Sequence, residues 1–338
     1  MQYRPLGRTG VQVSPLCLGT MMFGPWGNED EADSIRIIHR ALDAGINVVD
    51  TADVYSAGES ERIVGKALRG RRDDVVLATK FFMPIGEEPN HRGGSRRWII
   101  REVEESLRRL ETDYIDLYQV HRPSPDTDVE ETLGALTDLV RDGKVRYLGS
   151  SSYPASQIVE AQWAARDRRL ERFVTEQPPY SILVRGIEAD VLPTARRHGM
   201  GILSYSPLAG GWLSGRWRRG AASTPTSAAR PGAGFDMSSP ANQRKLEIVE
   251  ELALLAEEAG VSLIELAIAF VINHPAVTSA IIGPRTMAQL ESQLGAPELT
   301  LDAELLDSID ALVAPGVTVN PDDNSYGAAE LTRSARRR

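Results

Sequence analysis

Ile46-Asn47-Val48-Val49-Asp50-Thr51-Ala52-Asp53-Val54-Tyr55 is a short apolar run that stops on an acid and then delivers a phenol. Two later runs end in the same way. Val75-Val76-Leu77-Ala78-Thr79 stops at Lys80, and Ile115-Asp116-Leu117-Tyr118-Gln119-Val120 stops at His121. Most of these runs are continuously apolar rather than alternating, as expected of strands covered on both faces in a parallel sheet. An acid, a phenol, an ammonium and an imidazole at one end of such a sheet make a proton-transfer site.

Outward from these runs the pattern repeats. Candidate strands fall at Leu16–Thr20, Ile46–Asp50, Val75–Lys80, Ile115–Val120, Val145–Ser150, Phe173–Gln177, Gly201–Tyr205 and Thr278–Ile282. Helical segments alternate with them. Ile35, Ile38 and Leu42 share one face, with Gly45 as the stop; Ile99, Val103, Leu107 and Leu110 share another. Val129, Leu133, Leu136 and Val140 line a third, stopped by Gly143. Eight βα units in one chain predict a single-domain α/β fold over residues 1–338, a closed (β/α)8 TIM barrel whose catalytic residues gather at the C-terminal strand ends.

Three segments fall outside the repeat. Residues 3–13 carry Gly7-Arg8-Thr9-Gly10 and predict a β-hairpin over the N-terminal end of the barrel. Residues 216–240, rich in Arg, Ala, Ser, Pro and Gly, read as a mobile loop. Extra helices at about 241–259 and 262–273 precede the eighth strand, with further helix after it, and 322–338 reads as a flexible tail.

Composition narrows the partners. The 338 residues carry 38 Lys and Arg against 47 Asp and Glu, a net charge of −9. That argues against nucleic acid and anionic membrane, so an anionic ligand needs a local basic pocket. The 42% apolar content supports a sizeable core. One cysteine, Cys17, cannot form an internal disulfide, and no apolar leader follows Met1, so a cytoplasmic protein is expected. Oligomeric state stays open.

Tyrosine is a poor acid at neutral pH, with an ordinary pKa of about 10. A neighbouring ammonium is expected to lower it, an aspartate to hold that ammonium charged, and a histidine to bond the same substrate oxygen. Lysine is scarce here, with Lys66, Lys80, Lys144 and Lys245 standing among many arginines, so a lysine at the barrel mouth suggests a need for a compact ammonium. Each residue alone has an ordinary use as a cap, an ion pair or packing; together they point to chemistry. Gly58 to Ala67 resembles a P-loop but has the wrong spacing, and Gly232-Ala233-Gly234 follows no strand. No zinc spacing is present.

The chain resembles the aldo-keto reductases over roughly residues 3–315, in the branch that includes potassium-channel β subunits and bacterial aldehyde reductases. The motifs that carry this are Gly45 to Tyr55 with Gly58-Glu59-Ser60-Glu61; Ser106-Leu107-Arg108-Arg109-Leu110 through Asp113 to His121; Gly143 to Gly149; and Tyr205-Ser206-Pro207-Leu208-Ala209-Gly210-Gly211. The resemblance implies reduction of an aldehyde or ketone with NADPH bound without a Rossmann fold. Tyr55 would be the general acid, Lys80 and Asp50 would tune it, and His121 would orient the carbonyl.

For the cofactor the resemblance implies Gly19, Thr20 and Met21 beside Asp50, with Tyr205 under the nicotinamide and Ser151 and Gln177 at its carboxamide. Ser152 stands where the family often has Asn. Ser206, Pro207, Leu208, Gly210, Gly211 and Leu213 would wrap the pyrophosphate, and Gly283, Arg285, Gln289 and Gln293 the adenosine end, with Arg285 on the 2′-phosphate.

Phe23, Trp26, Phe82 and Met83 offer an apolar wall for a small-molecule carbonyl substrate near Tyr55 and His121. Arg122 would meet a carboxylate or phosphate, or pair with a neighbouring acid, the second being favoured. Two other classes stay open: a redox-sensing cofactor-binding regulatory subunit, and a lyase using Lys80 as a Schiff-base nucleophile.

Overall fold

The computed structural model describes residues 1–218 and 235–324. A two-residue hairpin, β1 (Arg4–Pro5) and β2 (Gln12–Val13), opens the chain. Eight parallel strands then close a barrel: β3 (Leu16–Gly19), β4 (Val48–Asp50), β5 (Val76–Phe81), β6 (Ile115–Val120), β7 (Val145–Ser151), β8 (Phe173–Gln177), β9 (Gly201–Tyr205) and β10 (Ser279–Ile282). Strand order follows chain order, and β10 pairs with β3 to close the ring. The fold is the expected (β/α)8 barrel.

Helices α1 (Glu31–Asp43), α2 (Glu59–Ala67), α3 (Arg96–Leu110), α4 (Val129–Arg141), α5 (Ala155–Arg168) and α6 (Val191–His198) each follow one strand. Two helices, α7 (Pro240–Glu258) and α8 (Leu263–Asn273), separate β9 from β10, and α9 (Met287–Glu291) and α10 (Ala303–Leu312) follow β10. Local chemistry sets their ends. Asp30 accepts from the Asp33 N–H at the start of α1, and Ser262 and Glu265 form a capping box on α8. No described helix is long and apolar enough to cross a membrane.

Inside the barrel, Cys17, Val48, Ala78, Leu117, Leu203 and Ile281 pack together, and the hairpin adds Leu6 and Val13 to that cluster from below. Gly7 permits this. Its φ is +56°, and an added Cβ would come within 2.8 Å of the Gly199 carbonyl oxygen. Asn47 ties β4 to the hairpin, its Oδ1 accepting from the Ser14 N–H at 2.8 Å and its Nδ2 donating to the Gln12 carbonyl at 2.9 Å. That engagement leaves β4 starting at Val48 rather than Ile46.

The stretch 216–240 differs at its ends from the mobile loop expected. Trp217 stacks on Trp212 at 4.1 Å and faces Phe235 at 5.6 Å, Arg218 pairs with Glu250 and Glu257, and α7 begins at Pro240. Residues 219–234, including Gly232-Ala233-Gly234, lie outside the described residues, as do 325–338 of the expected tail. The start of that tail is fastened: Asp323 accepts from buried Lys245 at 2.8 Å, and Asn320 donates to Asn242.

Candidate active site

β4 brings Asp50 and β5 brings Lys80 to the same rim of the barrel. Lys80 Nζ, fully buried, donates to Asp50 Oδ1 at 2.5 Å, to the Thr51 carbonyl at 2.8 Å and to the Tyr55 hydroxyl at 3.2 Å. Asp50 Oδ2 accepts from Gln119 Nε2 at 3.0 Å and from Gln177 Nε2 at 2.9 Å. Both carboxylate oxygens are thus engaged, and the ammonium has three acceptors. A buried ion pair needs such extra partners, because attraction alone does not offset desolvation.

The loop that carries Tyr55 is clamped by hydroxyls. Ser60 Oγ donates to the Thr20 carbonyl and lies 2.9 Å from both Thr20 Oγ1 and Thr51 Oγ1. Ser56 and Ala57, directly after the phenol, are left-handed at φ 50° and 54°. Each costs about 1–2 kcal/mol outside glycine, a strain that the clamp and the Trp26 N–H bond to Ser56 Oγ sustain. His121 sits past β6, its ring 5.8 Å from that of Tyr55 and edge-on to it. Its Nδ1 is buried without a hydrogen-bond partner.

Charge states follow from this packing. Burial pushes the Tyr55 phenol above its ordinary range; Lys80 pulls it down, but Asp50 pushes it back. The expected net lowering is therefore reversed, first because burial disfavours the phenolate and then because the acid that holds the ammonium opposes its effect. Lys80 itself is raised: burial disfavours its charge, but Asp50 and Tyr55 outweigh that loss. His121 lies well below its usual value through burial, then Lys80, then Arg122, so its imidazole is neutral.

Tyr55 and His121 open into a cavity of about 590 Å³. Among the residues singled out from sequence, Gly19, Thr20, Met21, Asp50, Arg122, Ser151, Gln177, Tyr205, Ser206, Pro207, Leu208, Gly210, Gly211, Gly283, Arg285, Gln289 and Gln293 also line it. Lys80 lies beneath its floor. Ser152 stands just outside, receiving a hydrogen bond from Arg122 and lying 3.2 Å from the Tyr205 hydroxyl. Leu213 and Phe23 are fully buried in the core, so neither side chain reaches a ligand. Phe82 and Met83 do not line the cavity, and Trp26 packs 6.2 Å from the Tyr55 ring on the outside rim. No described carboxylate pairs with Arg122, contrary to the acid partner favoured from sequence.

Several cavity residues have no signal in the sequence: Arg216, Trp217, Phe235 and Ile264 arrive from beyond β9. Gln119 was legible in principle, as a polar residue two before His121 at the end of a largely apolar strand. Glu176 was not; it is buried behind the site, accepting from Ser150 Oγ at 2.5 Å and the Tyr153 N–H at 3.0 Å. A second, more open cleft of about 720 Å³ lies at the other end of the barrel, beside Arg72, Asp73, Tyr114 and Lys144 ahead of β5, β6 and β7. It is lined by none of Asp50, Tyr55, Lys80 and His121. Among the described residues no His, Cys, Asp and Glu cluster is arranged to hold a metal ion.

The model of the aldo/keto reductase family matches residues 15–314. The chain belongs to the aldo/keto reductase family. It is 42% identical over 328 residues to an uncharacterized oxidoreductase, YrpG, of Bacillus subtilis, covering 94% of this chain and 97% of that protein. It is 37% identical to the aldo-keto reductase YhdN of the same organism, covering 90% and 91%. It is 36% identical to a probable voltage-gated potassium channel subunit beta of Arabidopsis thaliana, covering 93% and 97%. Within this aldo/keto reductase the residues that carry the family motifs are those that build the site: Asp50, Tyr55 and Ser60 from the first motif, and His121 from the second.

Proposed function

We propose that this aldo/keto reductase reduces an aldehyde or ketone to the alcohol with NADPH, Tyr55 giving the proton. The observation that carries this reading is the chain Asp50, Lys80, Tyr55, which ends on a phenol that lines the cavity beside a neutral imidazole. An oxidoreductase follows from the family and from relatives named as such.

The cavity suits an extended dinucleotide. Ser206 and Ala209 take left-handed backbone, as do Gly210 and Gly211, a tight turn whose glycines let a phosphate approach the backbone closely. Arg285 makes no described ion pair, and its backbone is held by Asn28 and Gln289. Gln293 Oε1 is buried at that end without a donor, an acceptor suited to an exocyclic amine. When bound, the nicotinamide would supply the hydride. Tyr55 would then transfer its proton to the carbonyl oxygen as charge develops there, Lys80 would stabilise the phenolate left behind, and His121 would orient the oxygen.

The test is Tyr55→Phe. NADPH binding, followed by quenching of tryptophan fluorescence, should persist while carbonyl reduction falls by about 10²–10⁴-fold; near-normal turnover would remove Tyr55 from the role. A regulatory cofactor-binding subunit is the second reading, supported by similarity to the plant channel subunit. Tight NADPH binding without turnover of any carbonyl in a broad panel would favour it. The lyase reading fits poorly, because a Schiff-base nucleophile must be a neutral amine and Lys80 is held as the ammonium.

A further inference from the structure

Three arginines line the cavity, Arg122, Arg216 and Arg285, and none of them has a carboxylate within 4.0 Å among the described residues. Several other arginines withdrawn from solvent are paired with acids, Arg109 with Glu61 and Glu102, Arg185 with Glu188 and Asp310, Arg72 with Asp116, whereas Arg4 and Arg172 donate to backbone carbonyls. Arg285 and Arg216 stand beside the segments suited to a dinucleotide's phosphates. Arg122 is different. It follows His121 directly in the chain and lines the cavity together with His121 and Tyr55, where the carbonyl would react and a dinucleotide brings no phosphate.

This guanidinium is held in place without being neutralised. Its one described side-chain bond is to Ser152 Oγ, and that hydroxyl is fixed by left-handed backbone (φ 56°) and by the Tyr205 hydroxyl at 3.2 Å. The nearby acid, Glu176, is spent on Ser150 and Tyr153. Burial pushes Glu176 up, and its hydrogen bonds and the Arg122 charge offset that only in part. A partly buried, tethered guanidinium with free donors is preorganised for a planar anion.

We infer that Arg122 is the anion anchor of the substrate site, and that the preferred substrates are aldehydes or ketones carrying a carboxylate. The reaction rests on the function proposed above; the anion site does not. Met21 and Met22 also line the cavity and suit the apolar body of such a molecule.

The experiment compares 4-carboxybenzaldehyde with its methyl ester in wild type, Arg122→Met and Arg122→Lys, with NADPH. Wild type should prefer the acid by about 10- to 100-fold in kcat/KM, the worth of one charged hydrogen-bonded contact. Arg122→Met should abolish that ratio through KM, and Arg122→Lys should restore part of it. A parallel titration with benzoate and benzamide, followed by tryptophan fluorescence, needs no turnover. Benzoate binding that depends on Arg122 upholds the anchor even if no aldehyde is reduced, in which case the reductase reading alone fails. No preference for acid over ester and for benzoate over benzamide in the wild type overturns the inference, whether or not either variant folds. Equal losses on both aldehydes in Arg122→Met overturn it as well.

Discussion

At the scale of single residues, the site turns on one buried pair. Lys80 and Asp50 are both withdrawn from water and sit 2.5 Å apart. Removing one partner strands the other's charge, which typically costs about 3–5 kcal/mol. Asp50→Asn should therefore lower the unfolding free energy by about that much and abolish activity. Lys80→Met should do likewise. The double variant Lys80→Met/Asp50→Asn should be more stable than Asp50→Asn alone yet equally inactive, because no uncompensated charge remains while the phenol has lost its ammonium. Denaturant melts of the four proteins check this; a double variant as unstable as the sum of the singles would contradict the account. The acid and the lysine were legible as strand-terminal residues. Their effect on Tyr55 was not, since the balance of burial, ammonium and carboxylate depends on distances that no spacing encodes.

At the scale of elements, β7 and β8 show how a neighbouring strand builds the site from behind. Glu176 holds the β7 exit through Ser150 and the Tyr153 N–H, and this loop carries Ser151 and Ser152. Burial pushes its carboxyl up to about 8 in the folded protein, from an ordinary value of 4.5. A raised acid contributes stability that is fully present below the unfolded value and is lost as pH rises through the folded one. Wild-type thermal stability should therefore carry a decline between about pH 4.5 and 8 that Glu176→Gln removes. Parallel melting curves for the two proteins across that window would contradict the assignment. Gly149, in the same strand, shows why a small residue is needed beside the site: an added Cβ would fall 2.4 Å from Thr175 Oγ1 and 2.9 Å from Gln119 Cγ.

At the scale of the whole molecule, chemistry and closure sit at opposite ends of one barrel. The polar rim is on the side of the cavity, and the hairpin plugs the other end with Leu6 and Val13. Leu6→Ala should open a void in the barrel floor and cost about 2–5 kcal/mol, while kcat stays within about twofold because sites this far apart act independently. Calorimetry with steady-state kinetics checks both halves; a large kcat loss would mean that the floor transmits strain to the rim. The net charge of −9 also makes sense at this scale. An acidic molecule gathers its cavity arginines locally instead of attracting anions over its whole surface.

The sequence by itself determined the barrel and brought Asp50, Tyr55, Lys80 and His121 to one end of it. Continuous apolar runs separated by helix-period segments admit few folds, and residues that end consecutive parallel strands must meet at one rim. It also placed most of the residues that line the cavity, because they fall in the same strand exits and in one glycine-rich turn. Only the tertiary structure decided which side chains are spent inside the protein and which face a ligand. Phe23 and Leu213 read as ligand contacts and are core; Trp217 and Phe235 read as loop and form cavity wall. Arg122 read as an ion-pair partner and, among the described residues, donates to Ser152 rather than to a carboxylate. Burial, pairing and charge state depend on distances between segments far apart in the chain, and such distances exist only once the barrel has closed.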